Sequence, residues 1–297
     1  MVSRFYPQAA GSVLITGTST GIGYATTKRL AEAGFHVFAG VRKPEDGEKV
    51  AALEAAGCIT PVIIDVADAA SVTTAVEQVR NALIEKNGFL AGVISNAGVG
   101  MIAPTPYLNE EILHYQTQTN LLGHMRLARE CLPLMQQTLQ GRNRRGRIYF
   151  VGTGAGIPSL VFPFLNIYMA CKWGTEAFCQ SLRMEMKLLD AQIDVGMINP
   201  GFINTAMRGS TKNAVQGKVA MDAQFGQLYG RLMQKFGEFG DRQKGTPPEA
   251  AAEKILGMMM AVTPQYRYRV GRDSFTTYLQ ALLPLPVQEW LIARVYR

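Results

Sequence analysis

Cysteine and histidine are scarce in this chain, four and three among 297 residues, and neither is spaced to hold a metal ion. Three of the four cysteines, Cys58, Cys131, Cys171 and Cys179, fall in helical patterns, so they read as reduced thiols packed as small hydrophobes. An apolar h-region is missing from Met1-Val2-Ser3-Arg4-Phe5-Tyr6-Pro7, and a cleaved secretory signal is not expected. Internal repeats and low-complexity tracts are lacking too. The tail, 275–297, is apolar with Trp290, Tyr296 and arginines, but Pro284 and Pro286 interrupt it. It falls short of the roughly 20 uninterrupted apolar residues of a membrane span. We expect it to pack on the domain or across a subunit contact, with a resting place on a membrane surface as the alternative. The expected location is cytoplasmic, with membrane association as the variant.

A hydrophobic fraction of 47% is enough for a substantial core and excludes a disordered chain. Net charge is +7, which suits anionic cofactors, membrane surfaces or nucleic acid and says nothing about fold. The densest basic run, Arg142, Arg144, Arg145 and Arg147, carries no stacking aromatic and joins a helix to a strand. It reads as a solvated loop, and no nucleic-acid partner is expected.

Ser12–Thr16 reads as a short buried strand, followed by Gly17-Thr18-Ser19-Thr20-Gly21-Ile22-Gly23 and a helical pattern that closes at Gly34. Strand, glycine-rich turn and helix make a cradle for a dinucleotide's pyrophosphate. The glycines let the backbone approach, and the helix N-terminus offers unpaired N–H groups. A second strand, 36–40, runs into Val41-Arg42-Lys43, with no acid until Glu45. Arginine suits a ribose 2′-phosphate, so NADP(H) is favoured over NAD(H); a plain surface loop is the competing view. A third strand, 59–64, ends at Asp65-Val66, where the carboxylate could accept from adenine or cap the next helix. The fourth strand, 92–95, turns out through Asn96-Ala97-Gly98. Residues 109–140 are helical in pattern from a cap at Asn109, with Asn120 inside as an unfavoured interior residue. A fifth strand, 147–151, precedes Gly152-Thr153-Gly154, and a helix carries Tyr168 and Lys172 to about Leu189. Trp173, Ala177, Phe178, Met184 and Leu188 are available on it for packing. A sixth strand, 193–198, closes at Asn199-Pro200-Gly201; Pro247-Pro248 starts a further helix, and 266–270 is a last edge strand.

Alternating strands and helices predict an α/β fold, a parallel sheet of about seven strands with helices on both faces, whose ligands bind beyond the carboxyl ends of the strands. That rule puts the glycine turn, Arg42, Asp65, Asn96, Thr153 and Pro200 on one rim and the arginine-rich loop on the other. Tyr168 and Lys172 share one helix face, one turn apart. A fixed ammonium there would favour the phenolate and lower the tyrosine's pKa.

Together these motifs resemble the short-chain dehydrogenases/reductases: Thr16-Gly17-x-x-x-Gly21-Ile22-Gly23, Asn96-Ala97-Gly98, Asn120, Tyr168-x-x-x-Lys172 and Pro200-Gly201-x-x-x-Thr205, in family order over about 11–206. The residues 39–42, 181–185 and 266–271 look most like the retinol and hydroxysteroid dehydrogenase branch and its microbial relatives. The resemblance implies a Rossmann-like doubly wound sheet in which Tyr168 is the acid/base and Lys172 lowers its pKa while binding the nicotinamide ribose. It implies that Asn120 holds a relay water and that Gly17, Ser19, Thr20, Gly21, Ile22, Gly23, Arg42, Asn96, Ala97, Gly98, Pro200 and Gly201 line the cofactor. Asp65 and Val66 would flank adenine; Ile203 and Thr205 would meet the carboxamide.

One departure is a threonine, Thr153, where the family places a serine. It keeps the hydroxyl but stiffens χ1. The interval to Tyr168 is about two residues longer than usual, and Ser159 in the inserted loop is the weaker substitute. The expected function is oxidoreduction of a secondary alcohol or ketone, or of a retinoid-type alcohol or aldehyde. The chain would be one catalytic domain, 1–297, with a substrate lid over 202–245. Phe225, Leu228, Tyr229, Leu232 and Phe236 would give the lid an apolar wall, or its ordinary packing, favouring a lipophilic small-molecule substrate. The resemblance also implies a homo-oligomer. A catalytically weak dinucleotide sensor or scaffold is the alternative.

Overall fold

The computed structural model describes residues 11–53, 58–154, 161–205, 222–242 and 245–296. Seven parallel strands form its sheet: β1 (Ser12–Thr16), β2 (His36–Val41), β3 (Ile59–Ile63), β4 (Leu90–Ser95), β5 (Gly146–Val151), β6 (Ile193–Pro200) and β7 (Arg267–Val270), in the order β3-β2-β1-β4-β5-β6-β7. The chain moves outward from β1 to β3, then returns to place β4 on β1's other side. At that reversal the connections leave in opposite directions and open a crevice beyond the carboxyl ends.

The central strands are apolar because both faces are covered. On one face Leu14, Phe38, Val93 and Ile148 meet α3 (Ala69–Glu85), α5 (Gly123–Leu139) and α6 (Asn166–Leu188) through Val76, Leu127, Leu134 and Leu182. On the other, Val13, Ile15, Ile94 and Tyr149 meet α1 (Gly21–Glu32) and a helix over Pro248–Met260 through Leu30, Ile255 and Met259. The remaining helices are α2 (Pro44–Ala51), α4 (Glu110–Thr117), α7 (Ala223–Arg242), α8 (the Pro248–Met260 helix), α9 (Arg272–Ala281) and α10 (Leu285–Tyr296).

The structure refines four of the sequence readings. The long helix over 109–140 is capped as predicted, Asn109 Oδ1 accepting from the Ile112 N–H at 2.9 Å. It is not one regular helix, however: a π-helical turn, Gln118–Leu122, separates α4 from α5. Asn120 sits in that wide turn, a feature no apolar periodicity reveals. The cap of α3 is Asp68, whose side chain accepts from the Ala70 N–H, and not Asp65. Arg147 lies in β5, as the expected strand 147–151 has it, apart from the other arginines of the basic run. It is 2% exposed, and its guanidinium donates to the carbonyls of Met258, Met259 and Ala261, closing the C-terminal end of α8. Finally, several apolar residues of α6 and of the tail do not pack on this chain's own core, which leaves the subunit contact and the membrane surface among the expected alternatives. Trp173, Met184 and Leu188 of α6, and Phe275, Leu279, Leu282, Leu285 and Trp290 of the tail, are exposed. Among the described residues no helix is long and apolar enough to cross a membrane.

Candidate active site

The glycine turn joins β1 to α1. Gly21 has φ 60°, in the left-handed region that glycine adopts without strain. A Cβ at Gly23 would collide with the Gly17 carbonyl oxygen, so the helix can approach the turn only because that side chain is missing. Thr18 ties the turn to β2 through Oγ1 and N–H, both on the Gly40 carbonyl at 3.0 Å. Thr20 precedes α1 but makes no side-chain cap, which leaves the first-turn N–H groups to face an anion with the helix dipole behind them. Ser19 and Ile22 are half-buried beside it and Thr20 is exposed. These residues fit a pyrophosphate.

The next strand end is locked to this turn. Thr16 Oγ1 accepts from the N–H groups of Asn96 and Ala97, both at 3.1 Å, while Asn96 Nδ2 donates to the carbonyls of Thr16 (2.9 Å) and Gly17 (3.1 Å). Gly98 follows, close enough that a Cβ would stand 3.3 Å from Asn120 Oδ1 and 3.6 Å from Lys172 Nζ. Asn120 is fully buried and both amide atoms engage Val99: Oδ1 accepts from its N–H at 2.8 Å and Nδ2 donates to its carbonyl at 2.7 Å. Its own carbonyl accepts from Thr175 Oγ1 at 2.9 Å. Both amide atoms thus clasp the loop after β4.

Along the rim, Arg42 stands at the end of β2 with Nη1 donating to the Tyr115 hydroxyl at 2.9 Å. Asp65 is half-buried, its Oδ1 accepting from the Ala67 N–H at 2.9 Å, and Val66 is buried against Gly123. Arg126 steadies that loop through the Ala67 carbonyl at 2.9 Å. Beyond β6, the Gly201 N–H donates to the Val270 carbonyl at 2.8 Å, and the Phe202 N–H to the Asp273 carboxylate. Ile203 bridges Thr246. Thr205 lies over the glycine turn, its methyl 2.9 Å from where a Cβ of Gly21 would be.

Tyr168 and Lys172 lie in the first two turns of α6, beside the end of β5. Lys172 is 4% exposed, and Nζ donates to the Val151 carbonyl at 2.8 Å and stands 5.9 Å from the Tyr168 ring centroid. Burial lowers its pKa from 10.5 to about 8. Tyr168 departs from expectation: burial raises the phenol above its usual value, and the neighbouring Thr153 hydroxyl pulls the other way. Loss of water around the ring outweighs the neighbouring ammonium, which is turned toward Val151. His124, one turn beyond Asn120, is lowered well below its usual value, first by burial and then by the Lys172 charge, and its Nδ1 lies 2.6 Å from Ser95 Oγ.

The structure thus gathers Asn120, Thr153, Tyr168 and Lys172 at one end of the sheet. Ser159 lies outside the described residues. A sequence profile described as short chain dehydrogenase matches residues 11–216. The chain belongs to the short-chain dehydrogenase family. It is similar to an NADPH-dependent 3-dehydrocapnine reductase of Ornithobacterium rhinotracheale, 28% identical with 87% of each chain covered. It is also similar to retinol dehydrogenase 5 of Mus musculus, 27% identical over 97% of this chain and 91% of that one. Among solved structures, an alcohol dehydrogenase from the archaeon Thermococcus sibiricus complexed with 5-hydroxy-NADP shares the fold, with TM-score 0.66 and 22% identity over 88% of this chain and 95% of that one.

As a short-chain dehydrogenase near the retinol dehydrogenase branch, the protein is an oxidoreductase acting on CH–OH or C=O groups with a nicotinamide dinucleotide. These comparisons give no support to the sensor alternative. Several residues around this dehydrogenase's site escaped the sequence reading. Gln116 clamps Met101, accepting its N–H at 3.1 Å. Tyr115 and Arg126 hold the loops named above, and Thr175 holds the Asn120 carbonyl. Asn199 and Glu176 form a buried pair at 2.7 Å. The signal for Glu176 was available: it is a carboxylate one turn beyond Lys172 on the same helix face. Helix α7 buries Tyr229 and Leu232 against Ile102, Phe164 and Leu165. Phe225 meets Tyr107 edge-on at 5.5 Å, and Leu228 faces outward. Residues 206–221 and 243–244 of the expected lid, and the Phe236 side chain, lie outside the described set.

Proposed function

We propose that this dehydrogenase is an NADP(H)-dependent enzyme interconverting a secondary alcohol and ketone, or a retinoid-type alcohol and aldehyde, on a lipophilic substrate. The observation that carries the reading is buried Lys172 standing 5.9 Å from the Tyr168 ring, with Thr153 next to the phenol at the end of β5. A bound nicotinamide dinucleotide supplies or accepts the hydride. In carbonyl reduction Tyr168 gives its proton to the substrate oxygen, and burial keeps the phenol neutral and ready to do so. Thr153 donates to that same oxygen and steadies the charge developing on it. Lys172 presents a cation to the phenol and to the nicotinamide ribose, and Asn120 keeps the loop after β4 in place below them.

The preference for NADP(H) is supported by Arg42, exposed at the end of β2 with no acid before Glu45, and by the NADPH named for one relative. Gly17, Ser19, Thr20, Gly21, Ile22 and Gly23 would hold the pyrophosphate, Asp65 and Val66 would flank adenine, and Asn96, Ala97, Gly98, Pro200, Gly201, Ile203 and Thr205 would line the rest. A lipophilic substrate is supported by the apolar packing of α7 against Ile102 and Phe164 and by the relative named for retinol. The same reading takes 1–297 as one catalytic domain, cytoplasmic, and a homo-oligomer, for which the exposed Trp173, Met184 and Leu188 of α6 offer an apolar face. Tyr168→Phe tests the assignment: turnover of a lipophilic ketone should fall about 1,000-fold, as loss of a positioned proton donor predicts, with NADPH affinity retained. Undiminished turnover would refute it.

A further inference from the structure

We infer that Asn199 and Glu176 are positioning residues that aim the Thr153 hydroxyl at the reacting oxygen by holding the Thr153 main chain. The inference rests on the reading of Thr153 given above. Asn199 is 1% exposed near the end of β6. Its Nδ2 donates to the Thr153 carbonyl at 2.9 Å and to Glu176 Oε1 at 2.7 Å. Both partners are acceptors only, so the amide can face only one way. Glu176, also 1% exposed, receives Arg267 of β7, with Nη2 at 2.5 Å from Oε2 and Nη1 at 3.3 Å from Oε1. The Asn199 carbonyl accepts from Ser274 Oγ of α9 at 2.8 Å. An edge strand, a helix and β6 therefore converge on one backbone carbonyl.

That carbonyl matters because the strand ladder stops just before it. The Gly152 N–H still donates to the Ile198 carbonyl at 2.7 Å; beyond it, Asn199 supplies the next link. Threonine's branched Cβ restricts χ1, so the direction of its hydroxyl follows from where the backbone is fixed. A paired carboxylate behind Asn199 makes that fixture rigid, since a buried ion pair tolerates little displacement once formed. The chain has a threonine at this post, and the network explains how a stiffer side chain can still present its hydroxyl to Tyr168.

The test is a double-mutant cycle on the full chain with Thr153→Ala, Asn199→Ala and the double variant, reading kcat with NADPH and a lipophilic ketone, and NADPH affinity by fluorescence. Asn199→Ala should lower kcat about ten- to a hundredfold, the range a displacement of about 1 Å produces, with NADPH affinity within about twofold. The double variant should be no slower than Thr153→Ala alone. Losses that multiply would overturn the network, because Asn199 would then act independently of Thr153. Thr153→Ala with undiminished turnover would instead overturn the role of Thr153 itself. Should Asn199→Ala not fold, Asn199→Ser enters the same cycle. Glu176→Gln, which keeps an acceptor toward Asn199, should retain far more kcat than Glu176→Ala; equal losses would count against the hydrogen bond.

Discussion

Replacing Lys172 with methionine should make the dinucleotide-free protein more stable near neutral pH while removing its activity. The ammonium is 4% exposed with a titration point lowered from 10.5 to about 8. At about 1.4 kcal/mol per unit, holding the charged form inside costs about 3 kcal/mol relative to the neutral amine. Methionine fills similar space without the charge, and loses the hydrogen bond to the Val151 carbonyl, about 1 kcal/mol. The variant should therefore gain about 2 kcal/mol at pH 7. Between about 8 and 10.5 the unfolded chain keeps a proton that the folded chain has released, so the parent's stability rises with pH across that window. Below it the penalty is complete. Urea unfolding at pH 7 and pH 9.5 separates the cases: the advantage of the variant should shrink to about zero at the higher pH. A variant less stable than the parent at pH 7, or an advantage independent of pH, would refute the reasoning.

Two further outcomes follow from named contacts. Arg42→Ala should raise the KM for NADPH about ten- to a hundredfold and leave NADH nearly untouched, because charge-assisted bonds to a phosphate are worth about 1.5–3 kcal/mol; steady-state kinetics with both dinucleotides measures this. Arg147→Met should cost about 3 kcal/mol by leaving the carbonyls of Met259 and Ala261 without their donor and that of Met258 with the Tyr149 hydroxyl alone, read as a lowered midpoint in thermal unfolding.

Much of this was legible in the sequence, because parallel strands covered on both faces must be continuous apolar runs, and those runs alternate with helices. The glycine turn and the Tyr168–Lys172 spacing were likewise local patterns. What escaped was set by distant partners. Arg147 was legible as the start of the fifth strand, but not its reach to the end of a helix more than a hundred residues later. The effect of Lys172 on Tyr168 was read from adjacency alone, whereas burial sets the direction. Asp65 and Asp68 are both plausible caps by composition, and only backbone geometry selects the second. Asn199 looked like part of a strand-ending turn, since its partners come from α6 and from the segment after β5.

The wide turn at Gln118–Leu122 sets the phase of the rod it interrupts. Gln116, upstream, and Asn120, within the turn, are keyed to the loop that follows β4; downstream, Leu127, Cys131 and Leu134 are keyed to the sheet. Excising one residue from the turn would rotate the downstream half by about 100° and draw it back by about 1.5 Å, swinging those three side chains away from the strands. The clasp on the loop and the seating on the sheet are thus compatible at one spacing, and a length change there would sacrifice one of them.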